Sequence, residues 1–293
     1  MIPYEERTPD YQYQNALRQI LAFGRKMKKT IQGPSARRLA GVMMRYDLKN
    51  GAPLITERKC SFYHQAIGEI FAFINGVRTQ KGLEEFGCRW WKDWVTPEKC
   101  ACFDLPPGDL GPGSYGGAFR DFPTEDGPLN QFAAVVKQIK EKPFLRTHFI
   151  SPWIPQYIIG KKRQVVVAPC HGWIHFLVTE KVLDLVMWQR SADLPVGVPS
   201  NMIQYAALLL AMAQVTGLKP GTFVHQISDA HIYSSKPCDQ LPAVEEILER
   251  KPRRLPTLRI VDPMICNLFD FRPEHFEIVD YDPWPAIKVP VAI

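Results

Sequence analysis

Apolar residues recur at Leu17, Ile20, Leu21 and Phe23 with basic residues between them, which predicts an amphipathic helix over residues 11 to about 30. The segment Gln32-Gly-Pro-Ser35 should end it. Residues 39–54 read as strand and turn, with Asn50-Gly51 as the hairpin signal. Residues 62–74 predict a second helix, nearly all apolar apart from His64, Gln65 and Glu69. Residues 96–127, rich in Pro, Gly and Asp, predict a long loop able to close over a ligand. A helical period returns over 130–141. Three stretches rich in Val, Ile and Phe follow, 146–153, 164–178 and 182–189, and predict strands of one sheet. A long buried helix should begin near Pro199, with proline in its first turn. Its apolar run, Met202 to Val215, is interrupted by Gln204 and Gln214 and falls short of the roughly 20 residues of a bilayer span. No repeat and no Ser/Gly-rich linker divides the chain. The pattern predicts a single α/β (α+β) domain on a largely antiparallel or mixed sheet.

Composition narrows the class. A chain of 293 residues, 46% hydrophobic and 23% charged, can bury a substantial core, and disorder or coiled coil fits poorly. The first residues show no basic segment leading into an apolar stretch, so no secretory signal is expected. The seven cysteines form neither a CxxC pair nor a zinc spacing, which predicts no metal and reduced thiols in a cytoplasm. A net charge of +6 suits a small anionic substrate. It comes without a polybasic run or an aromatic RNA-binding motif, leaving nucleic acid a secondary reading and a membrane partner unsupported.

Four local features compete with ordinary structural explanations. Gly111-Pro-Gly-Ser-Tyr-Gly116 fits G-x-G-x-x-G but lacks a preceding strand and a clear following helix, so dinucleotide binding is rejected. Cys170, followed by His171, stands where Pro169 interrupts an apolar run. A buried cysteine is usually a small hydrophobe, whereas a nucleophile must be presented at such a kink. Arg190, Ser191 and Asp193 follow an apolar strand; they could be a solvated strand end, or Arg and Ser could grip a phosphate. Glu69 in an apolar helix is either a surface residue or a desolvated carboxyl poised for proton relay, and its neighbours favour the second.

Taken together, Pro169-Cys170-His171, Gln189-Arg190-Ser191-Ala-Asp193, Val198-Pro-Ser-Asn201 and Asp229-Ala-His231-Ile-Tyr233 resemble the thymidylate synthase family, which includes the pyrimidine nucleotide hydroxymethylases. The ending from Phe276 to Ile293 resembles that family's closing segment. The resemblance implies one domain over residues 1–293, with 276–293 as the closing segment. It also implies a mixed sheet packed with helices and dimerising through the sheet. It implies 5,10-methylenetetrahydrofolate as one-carbon donor and a pyrimidine nucleoside monophosphate as acceptor. By resemblance Cys170 adds to C6 of the ring, with His171 beside it. Arg190 and Ser191 hold the phosphate, Asn201 reads the N3 and O4 edge, and Glu69 relays protons to that edge through water. Tyr115 assists loss of the C5 proton, and His231 with Tyr233 binds the 3′-hydroxyl. Asp193, Trp91, Trp94 and Ile293 belong to the folate site. Arg146 is donated across a homodimer to the neighbouring phosphate.

The sequence also departs from the family. The usual Arg-Thr-Gly loop is replaced by Thr-Ile-Gln-Gly-Pro-Ser-Ala, leaving Arg37 or Arg38 to supply the lost phosphate ligand. A paired arginine becomes Arg146-Thr147, the 111–116 loop is one residue longer, and Ser200 stands where an aromatic usually precedes the substrate-reading Asn. An amide at 201 points to uridylate, since it can both donate and accept. A smaller, more polar wall at Ser200 favours water over hydride, which predicts a deoxyuridylate hydroxymethylase. Trp91 and the intact C-terminal end favour the alternative, thymidylate synthase. A non-catalytic nucleotide- or RNA-binding regulator is a third reading, against which the retention of Cys170, Glu69, Asn201 and Arg190 argues.

Overall fold

A computed structural model describes all 293 residues. The strands in chain order are β1 (Arg25–Met27), β2 (Ala36–Asp47), β3 (Phe122–Thr124), β4 (Gly127–Leu129), β5 (Phe149–Ile150), β6 (Trp173–Thr179), β7 (Val182–Asp193), β8 (Lys219–Ser235), β9 (Cys238–Asp239), β10 (Thr257–Ile260) and β11 (Phe276–Val279). The helices are α1 (Gln12–Phe23), α2 (Tyr63–Ile74), α3 (Gln80–Glu85), α4 (Pro97–Ala101), α5 (Tyr115–Arg120), α6 (Gln131–Glu141), α7 (Pro155–Ile158), α8 (Gly197–Thr216) and α9 (Leu241–Glu249). The main sheet runs β1-β2-β8-β7-β6-β5, with β9 added to the end of β8. All its pairings are antiparallel except β7 with β8. That parallel pair needs a crossover, and α8 supplies it. The α+β class and the mixed sheet are as the sequence predicts.

Helix α8 is apolar almost all round because it is covered on both sides, by β7 and β8 below and α2 above. The layers are therefore sheet, α8, α2, and Glu69 on α2 points down onto α8. The other sheet face carries no helix. There Trp173, Trp188, Gln226 and Met43 line up across β6, β7, β8 and β2. Met43, Trp188 and Phe149 remain exposed on it. No helix is long and apolar enough to cross a membrane.

Several expected elements differ. Helix α1 stops at Phe23, where the chain turns extended at Gly24 and enters β1, so residues 25–27 are strand. Asn50-Gly51 makes no hairpin. It closes a 3-10 turn, the Asn50 side chain is bonded to Thr8, and β2 pairs with the distant β8. Long-range pairing overrides the local turn signal there. Of 146–153 only Phe149–Ile150 is strand, and 164–172 is irregular, because the prolines at 152, 155 and 169 withhold ladder donors. The segment 96–127 is not one open loop: it holds α4, α5 and β3, and its stretch Leu110–Phe119 is largely buried. A short helix, α5, does begin within the 111–116 segment, at Tyr115, though no strand precedes it. Strand β7 continues through Arg190 and Ser191 to Asp193, so these residues lie within a strand and not past its end.

Candidate active site

Cys170 sits in the irregular segment just before β6, held by its backbone. Its N–H donates to the Tyr115 hydroxyl at 2.7 Å, and the His171 N–H reaches the same oxygen at 3.4 Å. Its carbonyl accepts from the Arg190 N–H at 2.8 Å. Gly172, at φ +100°, then turns the chain into β6, a conformation side-chain-bearing residues rarely adopt. Tyr115 is clamped between Phe73 and the His171 ring, with centroids 4.7 and 4.5 Å away. Burial pushes its phenol well above the ordinary range, so it stays neutral.

The Arg190 guanidinium is fixed by Pro169 O at 2.7 Å and Ala168 O at 2.8 Å, and the same Nη2 lies 3.3 Å from Cys170 Sγ. It also lies over the Trp153 ring, 5.9 Å from its centroid. Burial pushes the Cys170 thiol up, and the positive charge of Arg190 pulls it back. His171 is no base for this thiol. Its Nδ1 lies 2.6 Å from the Tyr205 hydroxyl, and burial with Arg190 nearby lowers its pKa to about 3.

Glu69 is buried and ringed by donors: Trp90 Nε1 at 2.6 Å, Trp91 Nε1 at 2.5 Å and Gln204 Nε2, with Cys88 Sγ at 3.8 Å. Burial raises its pKa, and those donors work against the rise. Asn201 and Tyr205 lie one turn apart on α8 and so share a face. Tyr205 holds His171 next to Cys170, which brings Asn201 to the same side. Asn201 bonds Gln204 at 2.9 Å and Gln189 at 3.1 Å. Ser191 Oγ donates to Asp229 at 3.2 Å, and Asp229 lies 3.5 Å from His231 Nδ1.

At the other end, Gln240 ties three features together. Its Nε2 donates to Asp193 at 2.8 Å and to Pro290 O at 3.0 Å, while its Oε1 accepts from the Tyr233 N–H at 2.9 Å. Burial lifts the Asp193 carboxyl to about 6. The Tyr233 hydroxyl donates to Gln32, in the loop that departs from the family. The C-terminal tail is docked here, with Ala292 against Ala36, Tyr233 and Cys238, and Ile293 exposed. Arg38 pairs with His231 across β2 and β8 and therefore shares its side, while Arg37 faces the other way and donates to Leu21 O. Trp94 is half-buried under Lys99, and Arg146 is exposed beside β5.

Cys170, His171, Tyr115, Arg190, Glu69, Asn201 and Trp91 thus form one cluster. Asp193, Ser191, His231 and Tyr233 form a second group along the ends of β7 and β8, and Arg146 stands apart from both. Nothing in the sequence pattern marked Trp90, Tyr205, His225 or Gln240, and Gln189 and Asp229 stood only as members of motifs, without a role of their own. Gln204 stood out only as an interruption of an apolar run, although a buried amide must find partners.

This fold and site define an enzyme class built on a thiol, a guanidinium and a buried carboxyl above a mixed sheet. The family model described as thymidylate synthase matches residues 11–293, and the chain belongs to that family. Membership makes it a folate-dependent transferase acting at C5 of a pyrimidine nucleotide.

Proposed function

We propose that the chain is a deoxyuridylate 5-hydroxymethylase. The observation that carries this reading is Ser200, a half-buried hydroxyl residue next to Asn201 in the first turn of α8, which leaves a polar wall where water can approach C5.

Pyrimidine C5 is a poor nucleophile until a thiolate adds to C6 and makes C5 enol-like. Cys170 supplies that thiolate, and Arg190 favours it while keeping Nη1 for the substrate phosphate. Arg38 is the residue best placed to replace the family's lost phosphate arginine. Asn201 meets the N3 and O4 edge, Glu69 supplies and withdraws the proton at O4, and the neutral Tyr115 hydroxyl helps remove the C5 proton. His171, also neutral, walls the nucleophile. His231 and Tyr233 receive the 3′-hydroxyl.

When bound, methylenetetrahydrofolate supplies the one-carbon unit at the formaldehyde oxidation level. The residues present fit it. Asp193 keeps carboxylate lone pairs beyond those used by Gln240 and Val196, ready for pterin N–H groups. Trp94, half-buried, offers apolar surface, with Trp91 buried on Glu69, and the tail ending at Ile293 closes the site through Gln240.

Thymidylate synthase is the second reading, favoured by the docked tail, which excludes water. Deoxyuridylate and methylenetetrahydrofolate incubated with the protein decide between them by product mass and dihydrofolate absorbance. Hydroxymethylation predicts a product one oxygen heavier than the methylated nucleotide, with tetrahydrofolate left unoxidised. A methylated product with stoichiometric dihydrofolate rejects it.

The open sheet face of Met43, Gln226, Trp188, Trp173 and Phe149 supports a homodimer. Arg146, exposed beside β5, then reaches the phosphate of the partner's site.

A further inference from the structure

Three buried side chains besides Glu69 and Asn201 complete a line of hydrogen bonds across the layers, and every link runs the same way. His225 Nε2 lies 2.7 Å from Gln189 Oε1. Gln189 Nε2 donates to Asn201 Oδ1 at 3.1 Å, Asn201 Nδ2 donates to Gln204 Oε1 at 2.9 Å, and Gln204 Nε2 donates to Glu69 Oε2.

An amide has one accepting and one donating end, so the sense of one link dictates the next. At the Glu69 end both carboxyl oxygens accept: Oε1 takes the two indole N–H groups and Oε2 takes the Gln204 amide. Gln204 therefore turns its NH2 to Oε2 and its oxygen to Asn201. Asn201 must answer with its nitrogen, which leaves its oxygen for Gln189. The far end agrees. Burial lowers the His225 pKa to about 3, so the ring is neutral with a single N–H. With that proton on Nε2, His225 donates to Gln189 and leaves Nδ1 a bare lone pair, and Nδ1 is the ring atom without a partner. The other tautomer would bury an unpaired N–H and set a lone pair against the Gln189 oxygen, a worse outcome on both counts.

We propose that Gln204 and His225 are specificity-determining positioning residues, which lock the Asn201 amide with its nitrogen toward Glu69 and its oxygen toward Gln189, so that it accepts a 4-oxo pyrimidine and refuses a 4-amino one. This rests on the reading of Asn201 as the base-reading amide. Uracil presents the acceptor O4 beside the donor N3–H, and cytosine presents a donor amine beside an acceptor N3. A free amide reads either by rotating half a turn. With O4 on the Glu69 side, as proton relay to it requires, the locked amide offers Nδ2 to O4 and Oδ1 to N3–H. Rotating it for cytosine would set oxygen against Gln204 oxygen and nitrogen against Gln189 nitrogen, both buried.

The test compares the affinities of deoxyuridylate and deoxycytidylate for the full chain by titration calorimetry, without folate, in the parent, Gln204→Met, His225→Phe and His225→Gln. The Phe ring can keep the stacking on Phe223, now 5.7 Å between centroids, while removing the donor. The uridylate-to-cytidylate preference should fall about tenfold or more in Gln204→Met and His225→Phe, the scale of a lost buried hydrogen bond. His225→Gln, which can still donate to Gln189, should keep the parent's preference. A fold defect weakens both ligands together and leaves the ratio unmoved, so the ratio isolates the lock. If one variant does not fold, the other carries the test. A parent that prefers deoxyuridylate, with variants that prefer it equally, overturns the lock alone. A parent without preference overturns the uridylate reading and the lock together.

Discussion

Two residues give direct access to the electrostatics of the chain. Arg190 Nη2 is a charged donor 3.3 Å from the sulfur, and burial works against the thiolate. A hydrogen bond to a charged group contributes about 1.5–3 kcal/mol, or roughly one to two pH units. Arg190→Ala should therefore move the pH profile of Cys170 alkylation upward by about that much, read as the rate of iodoacetamide labelling at position 170. Glu57 makes the complementary point about stability. It is buried with Oε1 unpartnered, and burial raises its pKa to about 7. Between its unfolded value near 4.5 and about 7 the folded chain holds a proton that the unfolded chain has released. Stability therefore falls as pH rises through that window. Glu57→Gln removes the effect and should melt higher than the parent above pH 7, by at most about 3 kcal/mol, with the gap closing toward pH 4.5. Melting curves at several pH values check it; a gap that does not change with pH would place the Glu57 proton elsewhere. At this scale the sequence makes Cys170, Arg190 and Glu69 stand out against apolar neighbours. It hides Gln240 and His225, whose partners lie far along the chain, and shows Asp229 only as a member of a motif.

The position of α2 decides whether Glu69 is ringed by donors. Gly68, the residue before Glu69, packs so closely that a Cβ there would stand 1.9 Å from Phe86 O, on the backbone that leads to Cys88, Trp90 and Trp91. No rotamer relieves a clash between Cβ and backbone, so α2 and this segment would have to part. Gly68→Ala should destabilise the fold by about 2–4 kcal/mol, as overpacking in a core does. It should also impair turnover beyond the stability loss, because the indole bonds to Glu69 lengthen. Thermal melts paired with activity at a temperature where the variant remains folded separate the two effects. If activity follows only the folded fraction, helix position is not what sets Glu69. Helices α2, α6 and α8 were legible because their apolar spacing agrees with their burial, and Asn130 caps α6 by accepting from Ala133 N–H. The hairpin at Asn50-Gly51 was misread because turn chemistry is local while the partner of β2 lies across the fold, and the strands at 146–153 and 164–172 because their prolines outweigh their β-propensity.

For the whole molecule, strand β7 carries the argument. Leu183, Leu185 and Met187 point into the core, and Val186 and Trp188 point to the opposite face, so the strand is apolar on both sides. A sheet that is apolar on both faces expects cover on both, and α8 covers only one. The two-sided pattern was readable in the sequence. What covers the second face was not, because no covering partner leaves a mark on the spacing of a single chain. A homodimer sharing its sites makes a prediction that an independent monomer cannot satisfy. Arg146→Ala and Cys170→Ala chains should each be nearly inactive alone. Mixed under conditions that exchange subunits, they form heterodimers in which one site joins an intact Cys170 to an intact Arg146 from the other chain. Random pairing makes half the dimers mixed, each with one restored site, so activity should recover to about a quarter of the parent. Turnover of equimolar mixtures reads this directly. Recovery to that level establishes donation across the sheet face, whereas a mixture as inactive as its components confines Arg146 to its own subunit.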